Sequence, residues 1–207
     1  MCVARRIAKG LFLGFLVWSL SLSAAAASGR LPVSSFSPLG PETSVPFGWV
    51  DFCLRYGECD EAQSAPEEIE LTAAAFQKIE AVNVRVNAKV DPVSDAEHAG
   101  VPDAWDYPGD GKGDCEDYAL LKRRMLMEAG FPRAALLMSV VKDEHGDGHA
   151  VLMVRTSRGD FILDNLADEV KPWSRTGYRF VKRQSQEDPN VWVSIGAPVS
   201  APMYVAK

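Results

Sequence analysis

The segment from Gly109 to Pro132 constrains this chain more than any other. It reads GDGKGDCEDYALLKRRMLMEAGFP. A Gly-rich run ends at Asp114, and the helix formers Ala119, Leu120, Leu121, Lys122, Met125 and Leu126 follow. Gly130 and Pro132 close the run in the order expected at a helix C-terminus. Cys115 therefore stands at the first helical position or beside the cap. Three strand-like runs come next: Ala134 to Val141, His149 to Arg155, and Asp160 to Leu163, the last ending at Asp164. A polar turn from Lys142 to Gly148 and a tight turn at Ser157, Arg158 and Gly159 separate them. Two short strands are expected near Tyr178 to Val181 and Val191 to Ser194. Helices first and an antiparallel meander afterwards predict an α+β domain.

The N-terminus carries a different message. Arg5, Arg6 and Lys9 precede an apolar run from Leu11 to Leu22, and Ala24 to Ala27 offer a small-residue cleavage site. This is the pattern of a secretory signal peptide over residues 1–27, with an apolar run too short for a comfortable membrane span. Cleavage after Ala27 takes 27 of 207 residues and three of 22 basic side chains, leaving 180 residues, 19 basic against 28 acidic, and a net charge of −9. That length suits one domain with a real core. An acidic exported chain is poorly suited to a nucleic-acid backbone. Of four cysteines, Cys2 is lost with the signal, so Cys53, Cys59 and Cys115 remain. Three is an odd number in an oxidising compartment, and one thiol should be left over.

Ser28 to about Pro46 is rich in Ser, Pro and Gly and reads as an extended, poorly ordered arm. The main domain is expected over 46–207. PFGWVDFCLRYGEC, residues 46–59, crowds Phe47, Trp49, Phe52 and Tyr56 around two cysteines five residues apart, which suits a local Cys53–Cys59 disulfide. Ser64 and Pro66, with Glu67, Glu68 and Glu70 behind them, predict a helix start. Leu71, Ala75, Ile79, Val82 and Val86 continue it as an amphipathic helix of roughly five turns. Asp91 to Gly113 reads as loop, in which Trp105 and Tyr107 either pin the chain or line a site.

Three residues could act together. Unpaired N–H groups at a helix start and the helix dipole favour a Cys115 thiolate. A buried structural cysteine is the competing reading, weakened by the polar flanks Asp114, Glu116 and Asp117. His149 opens a strand after a Gly-containing turn, at the rim of a sheet. Asp164 ends the next strand and, if the two strands pair as a hairpin, lies toward the same sheet end. Nucleophile, base and orienting carboxylate are the parts of an acyl-transfer site.

The carboxylates beside Cys115 oppose thiolate formation by like-charge repulsion. A bound cation would cancel that penalty, and hard oxygen ligands in a Gly-rich loop suit Ca²⁺, although the spacing is not that of an EF-hand. Acidic residues that merely complement a helix start would read the same way. Zinc on Cys115, His149 and Asp164, or on His145 and His149, fits less well. His145 and His98 read as solvated turn residues.

GDCEDYALLK at 113–122, GHAVLMV at 148–154 and LDN at 163–165 closely resemble the bacterial transglutaminase-like cysteine proteinases, exported relatives of the papain-like and transglutaminase-like clan. PFGWVDFC with Cys59 resembles one branch of that family, and the likeness extends over roughly 46–184. The resemblance implies a papain-like/transglutaminase-like core, with Cys115 as nucleophile on a central helix and His149 and Asp164 on an antiparallel sheet. It implies Ca²⁺ held by residues that include Asp114 and Glu116. It also implies a monomeric periplasmic protease whose protein substrate is a large surface adhesin, cleaved in biofilm control, and which an inner-membrane cyclic-di-GMP receptor sequesters. Acyl transfer to an amine, as in a transglutaminase or amidase, and a non-catalytic Ca²⁺-dependent binding module are the alternatives.

Overall fold

Residues 39–43, placed by composition in a loose arm, form a strand. The computed structural model describes residues 30–58, 65–196 and 200–205. The expected signal peptide lies outside these residues, as do Ser64 and Cys59, and with Cys59 the expected disulfide. β1 (Leu39–Thr43) pairs antiparallel with the last strand, and Ser194 Oγ donates to Pro41 O at 3.2 Å. Upstream, Ser37 donates from both its backbone N and its Oγ to Asp160 Oδ2, at 2.7 Å each. The arm is thus an edge of the sheet, held at two points. Pro41 is tolerated because an edge strand has one side without ladder partners.

α1 (Phe47–Tyr56) turns the aromatic segment into a helix, ended by Gly57 at a positive φ of 74°. Trp49 and Phe52 are buried, and a Cβ on Gly48 would come within 2.1 Å of the Trp105 ring. Trp49, Trp105 and Trp192 meet edge to face, with ring centroids 6.4 and 6.3 Å apart. Trp105 therefore pins its loop between the helix and the sheet, and its carbonyl accepts from Arg55 at 2.7 Å.

The second helix starts later than expected. α2 spans Ala73–Lys89, with Thr72 Oγ1 accepting from Ala75 N at 3.1 Å as its cap. Residues 65–71 are extended, and Ile69 bridges to Thr156. Buried Ile69 and Leu71 alternate with exposed Glu68 and Glu70, a period of two that outweighs the acidic first-turn signal. The buried stripe of α2 is Ile79, Asn83 and Val86, and Asn83 Nδ2 donates to the Ala167 and Asp168 carbonyls at 2.8 and 2.9 Å.

The stretch read as loop contains β2 (Asp91–Pro92), the one-turn α3 (Asp95–His98) and β3 (Lys112–Gly113), with β2 and β3 pairing in parallel. His98 is exposed, at the end of α3 rather than in a turn, and its Nε2 lies 2.9 Å from Asp110 Oδ2. α4 (Cys115–Glu128) closes at Gly130, whose φ is 89°.

The sheet follows: β4 (Leu136–Lys142), β5 (Gly148–Thr156), β6 (Gly159–Asp164), β7 (Ala167–Pro172), β8 (Arg179–Gln184) and β9 (Trp192–Ile195). Its seven strands run in the order β1-β9-β8-β4-β5-β6-β7, every pair antiparallel. Leu136, Met138, Val140, Ala150, Leu152 and Val154 join α1 and α4 in the main core. The alternate residues Leu137, Val141, Val151 and Met153 form a smaller cluster on the other face. This is the α+β arrangement, with one helix carrying Cys115 against the central strands.

Candidate active site

Cys115 is the free cysteine among the described residues. It opens α4 and is 1% exposed, and its Sγ accepts from Ala150 N of β5 at 3.3 Å. The polar flanks do not set Cys115 apart from a buried position. Asp114, Glu116 and Asp117 are themselves 1%, 0% and 2% exposed, so the flanks belong to the interior.

Pairing of β5 with β6 sets Leu152 opposite Leu163. His149 and Asp164 then fall at one end of the hairpin, on one face. His149 Nε2 lies 2.9 Å from Asp164 Oδ1, and both side chains are buried. Burial pushes the His149 pKa down; the hydrogen bond with Asp164 and, behind it, the Cys115 thiol push it up further, to about 9. His149 Nδ1 makes no close hydrogen bond, which leaves it for Cys115. Burial alone would raise Asp164, yet bonds from His149, Tyr178 and the Leu166 amide hold it below the usual carboxylate range. The three residues picked from sequence are thus brought together, and the zinc pairing of His145 with His149 is not, since His145 sits in an exposed turn.

Tyr178 was anticipated only as the start of a strand. Its hydroxyl donates to Asp164 Oδ2 at 2.6 Å, and its ring meets the His149 ring edge to face at 5.4 Å. No spacing in the sequence points to it, because it reaches Asp164 from the loop before β8.

The acidic cluster is larger than the two positions named from sequence. Ligand oxygens of Asp95, Asp114 and Asp117 lie within 4.8 Å of one another, as do those of Asp95, Asp103 and Glu116. Asp114 makes no capping bond to α4 and instead accepts from Asp95 N at 3.2 Å. Asp106 N donates to Asp117 Oδ1 at 2.7 Å, which ties the Trp105 loop to the helix start. A Cβ on Gly113 would lie 2.4 Å from Asp117 Oδ2, so the Gly-rich run gives the carboxylate room. Burial raises Asp117 to about 8 and Glu116 well above its ordinary value. No hydrogen bond reaches the buried Asp114 Oδ1 or Glu116 Oε1. Glu116 also touches Cys115, its Oε2 accepting from Sγ at 3.2 Å. Asp95 lies 19 residues before Asp114, on a separate element, and no local spacing joins the two.

A profile of the bacterial transglutaminase-like cysteine proteinases (BTLCP) matches residues 39–199. The chain belongs to this family. It is therefore a cysteine peptidase, and the non-catalytic binding module is set aside. Among solved structures, calcium-bound Legionella pneumophila LapG is similar, at 24% identity and a TM-score of 0.50, over 64% of this chain and 76% of that one. An EGTA-treated LapG and a further LapG structure from the same organism are each 25% identical over 57% of this chain. They cover 67% and 68% of those chains, with TM-scores of 0.48 and 0.45. The likeness to the calcium-bound form is one of fold. No curated protein matches the chain. In this proteinase the family's core carries a free thiol, an imidazole and a carboxylate at one sheet end.

Proposed function

We propose that the proteinase hydrolyses peptide bonds with Cys115 as nucleophile, His149 as proton carrier and Asp164 as the group that orients it. The observation that carries this reading is the free thiol at a helix start beside an imidazole whose far nitrogen meets a carboxylate at 2.9 Å. Nε2–H donates to Asp164, so Nδ1 is the atom that takes the thiol proton. A ring favoured in its charged form keeps that proton at neutral pH while the thiolate attacks the peptide carbonyl. The developing oxyanion turns toward backbone N–H groups at the start of α4. As the C–N bond breaks, the imidazolium gives its proton to the leaving amine. Water then attacks the thioester as His149 takes its proton, and collapse breaks the C–S bond, releasing the acid and restoring the thiolate beside the imidazolium.

The buried acids are proposed to hold Ca²⁺ through Asp114 and Glu116, with Asp95 and Asp117 beside them. The hard oxygen set fits, and so do two buried carboxyl oxygens without a donor. Bound there, the ion would supply positive charge beside the thiol and offset the repulsion that Asp114, Glu116 and Asp117 exert on a thiolate. LapG of Legionella, similar in fold, is recorded calcium-bound.

The N-terminal sequence supports export to the periplasm. The family resemblance supports a large surface adhesin as protein substrate and an inner-membrane cyclic-di-GMP receptor as partner. Co-incubation of the calcium-loaded enzyme with an adhesin N-terminal region, read by product mass spectrometry, tests the chemistry. Hydrolysed fragments that vanish in Cys115→Ala are expected. Full cleavage by that variant would overturn the assignment, and products carrying an added amine would move the reaction to acyl transfer.

A further inference from the structure

The site contains a contradiction that points to its substrate cleft. A thiol and an imidazole that must meet a peptide carbonyl are 1% and 0% exposed. Against that end of the sheet lies the segment 200–205. A Cβ on Gly148, the residue before His149, would sit 2.2 Å from the Tyr204 carbonyl oxygen and 2.8 Å from Pro202 Cβ. Gly148 has ordinary backbone angles, so what the missing side chain provides is close approach of another main chain. One residue on, Val205 N donates to Asp103 Oδ1 at 3.4 Å. Val205 is buried in the same apolar cluster as Cys115, Trp105, Val140 and Ala150. Met203 and Tyr204 are 82% and 47% exposed.

We infer that the path taken by Pro202 to Val205, between Gly148 and the Asp103–Trp105 loop, is the peptide-binding cleft of the proteinase, and that this segment occupies it in place of substrate. The segment has the features of an extended peptide ligand. Its carbonyl packs on a glycine beside the base, its amide meets a carboxylate, and Val205 is buried while Met203 and Tyr204 face water. The chemistry fits an extended, uncharged stretch of polypeptide with a small branched apolar residue at the buried position. Productive binding then requires the strap to leave by local opening, which breaks the bond from Val205 N to Asp103.

The inference rests on Cys115 being the nucleophile, and its test is separable from that reading because alkylation needs only access to the thiol. Val205→Asp, in the full chain, places a charge in the apolar cluster beside Asp103 and should expel the strap. Gly148→Ala should push it away without touching the core. Both should raise the iodoacetamide alkylation rate of Cys115 about tenfold or more. They should differ toward peptides: Val205→Asp lowers KM, whereas Gly148→Ala raises it, because its methyl group fills the cleft. The free peptide APMYVAK, residues 201–207, should inhibit Val205→Asp competitively and slow its alkylation. Wild-type alkylation rates in both folded variants, checked by thermal melting, would overturn the inference. So would absence of competition by the free peptide. Rapid alkylation without hydrolysis of any peptide would instead count against the protease reading.

Discussion

The Tyr178 hydroxyl lies 2.6 Å from Asp164 Oδ2, the carboxylate oxygen that His149 does not use. Each Asp164 oxygen thus has its own donor, and the carboxylate cannot rotate without losing one. Tyr178→Phe removes the hydroxyl and keeps the ring against His149. A hydrogen bond to a charged group is worth roughly 1.5–3 kcal/mol, so kcat should fall by about tenfold or somewhat more while KM stays near its original value. Steady-state kinetics check this. A change confined to thermal stability, with kcat intact, would reduce Tyr178 to a structural role.

Asp160 plays the comparable part for the arm. Its Oδ2 accepts both Ser37 N and Ser37 Oγ in a fully buried setting. Asp160→Ala strands two buried donors, each costing about 1–3 kcal/mol. The variant should lose about 2–6 kcal/mol in denaturant unfolding. An unchanged midpoint would mean that the arm adds nothing to the stability of the sheet.

Chelation should act on both stability and activity. Five acidic side chains, Asp95, Asp103, Asp114, Glu116 and Asp117, converge at the start of α4, four of them buried. EGTA should lower the melting temperature and suppress hydrolysis, and Ca²⁺ should restore both. Calcium at about 100 times its Kd would add about 2.7 kcal/mol of stability. Asp117→Asn should raise the calcium concentration needed for rescue. Melting and activity that ignore EGTA would leave the cluster without a metal role.

Much of this was legible in the chain, for local reasons. Helix α4 was marked by the glycines before it and Gly130 after it. The central strands were marked by unbroken apolar runs. His149 and Asp164 met because a short turn at Ser157–Gly159 leaves little choice of register. The remaining features depend on partners far away in sequence. β1 is a largely exposed edge strand and β7 a mostly polar one, and only pairing makes them strands. Ile69 and Leu71 took an extended path because β5 was there to receive them. Asp95 and Tyr178 joined the site from separate elements, and neither carries a motif. The burial of Cys115 is not legible in its acidic neighbours, because those side chains lie in the interior with it.

The central claim is that Asp164 sustains a charged His149 beside Cys115, and the pH dependence of kcat/KM tests it most directly. His149 is raised from 6.5 to about 9 by Asp164 and Cys115 against the pull of burial. Its proton, needed by the leaving amine, is held below that value and lost as pH rises through it, so the wild-type enzyme should show an alkaline limb near pH 9. Asp164→Asn removes the charge and the leading upward influence, so the limb should move to lower pH and the maximum should fall. A limb in the same place in both enzymes, or undiminished activity in Asp164→Asn, would contradict the account.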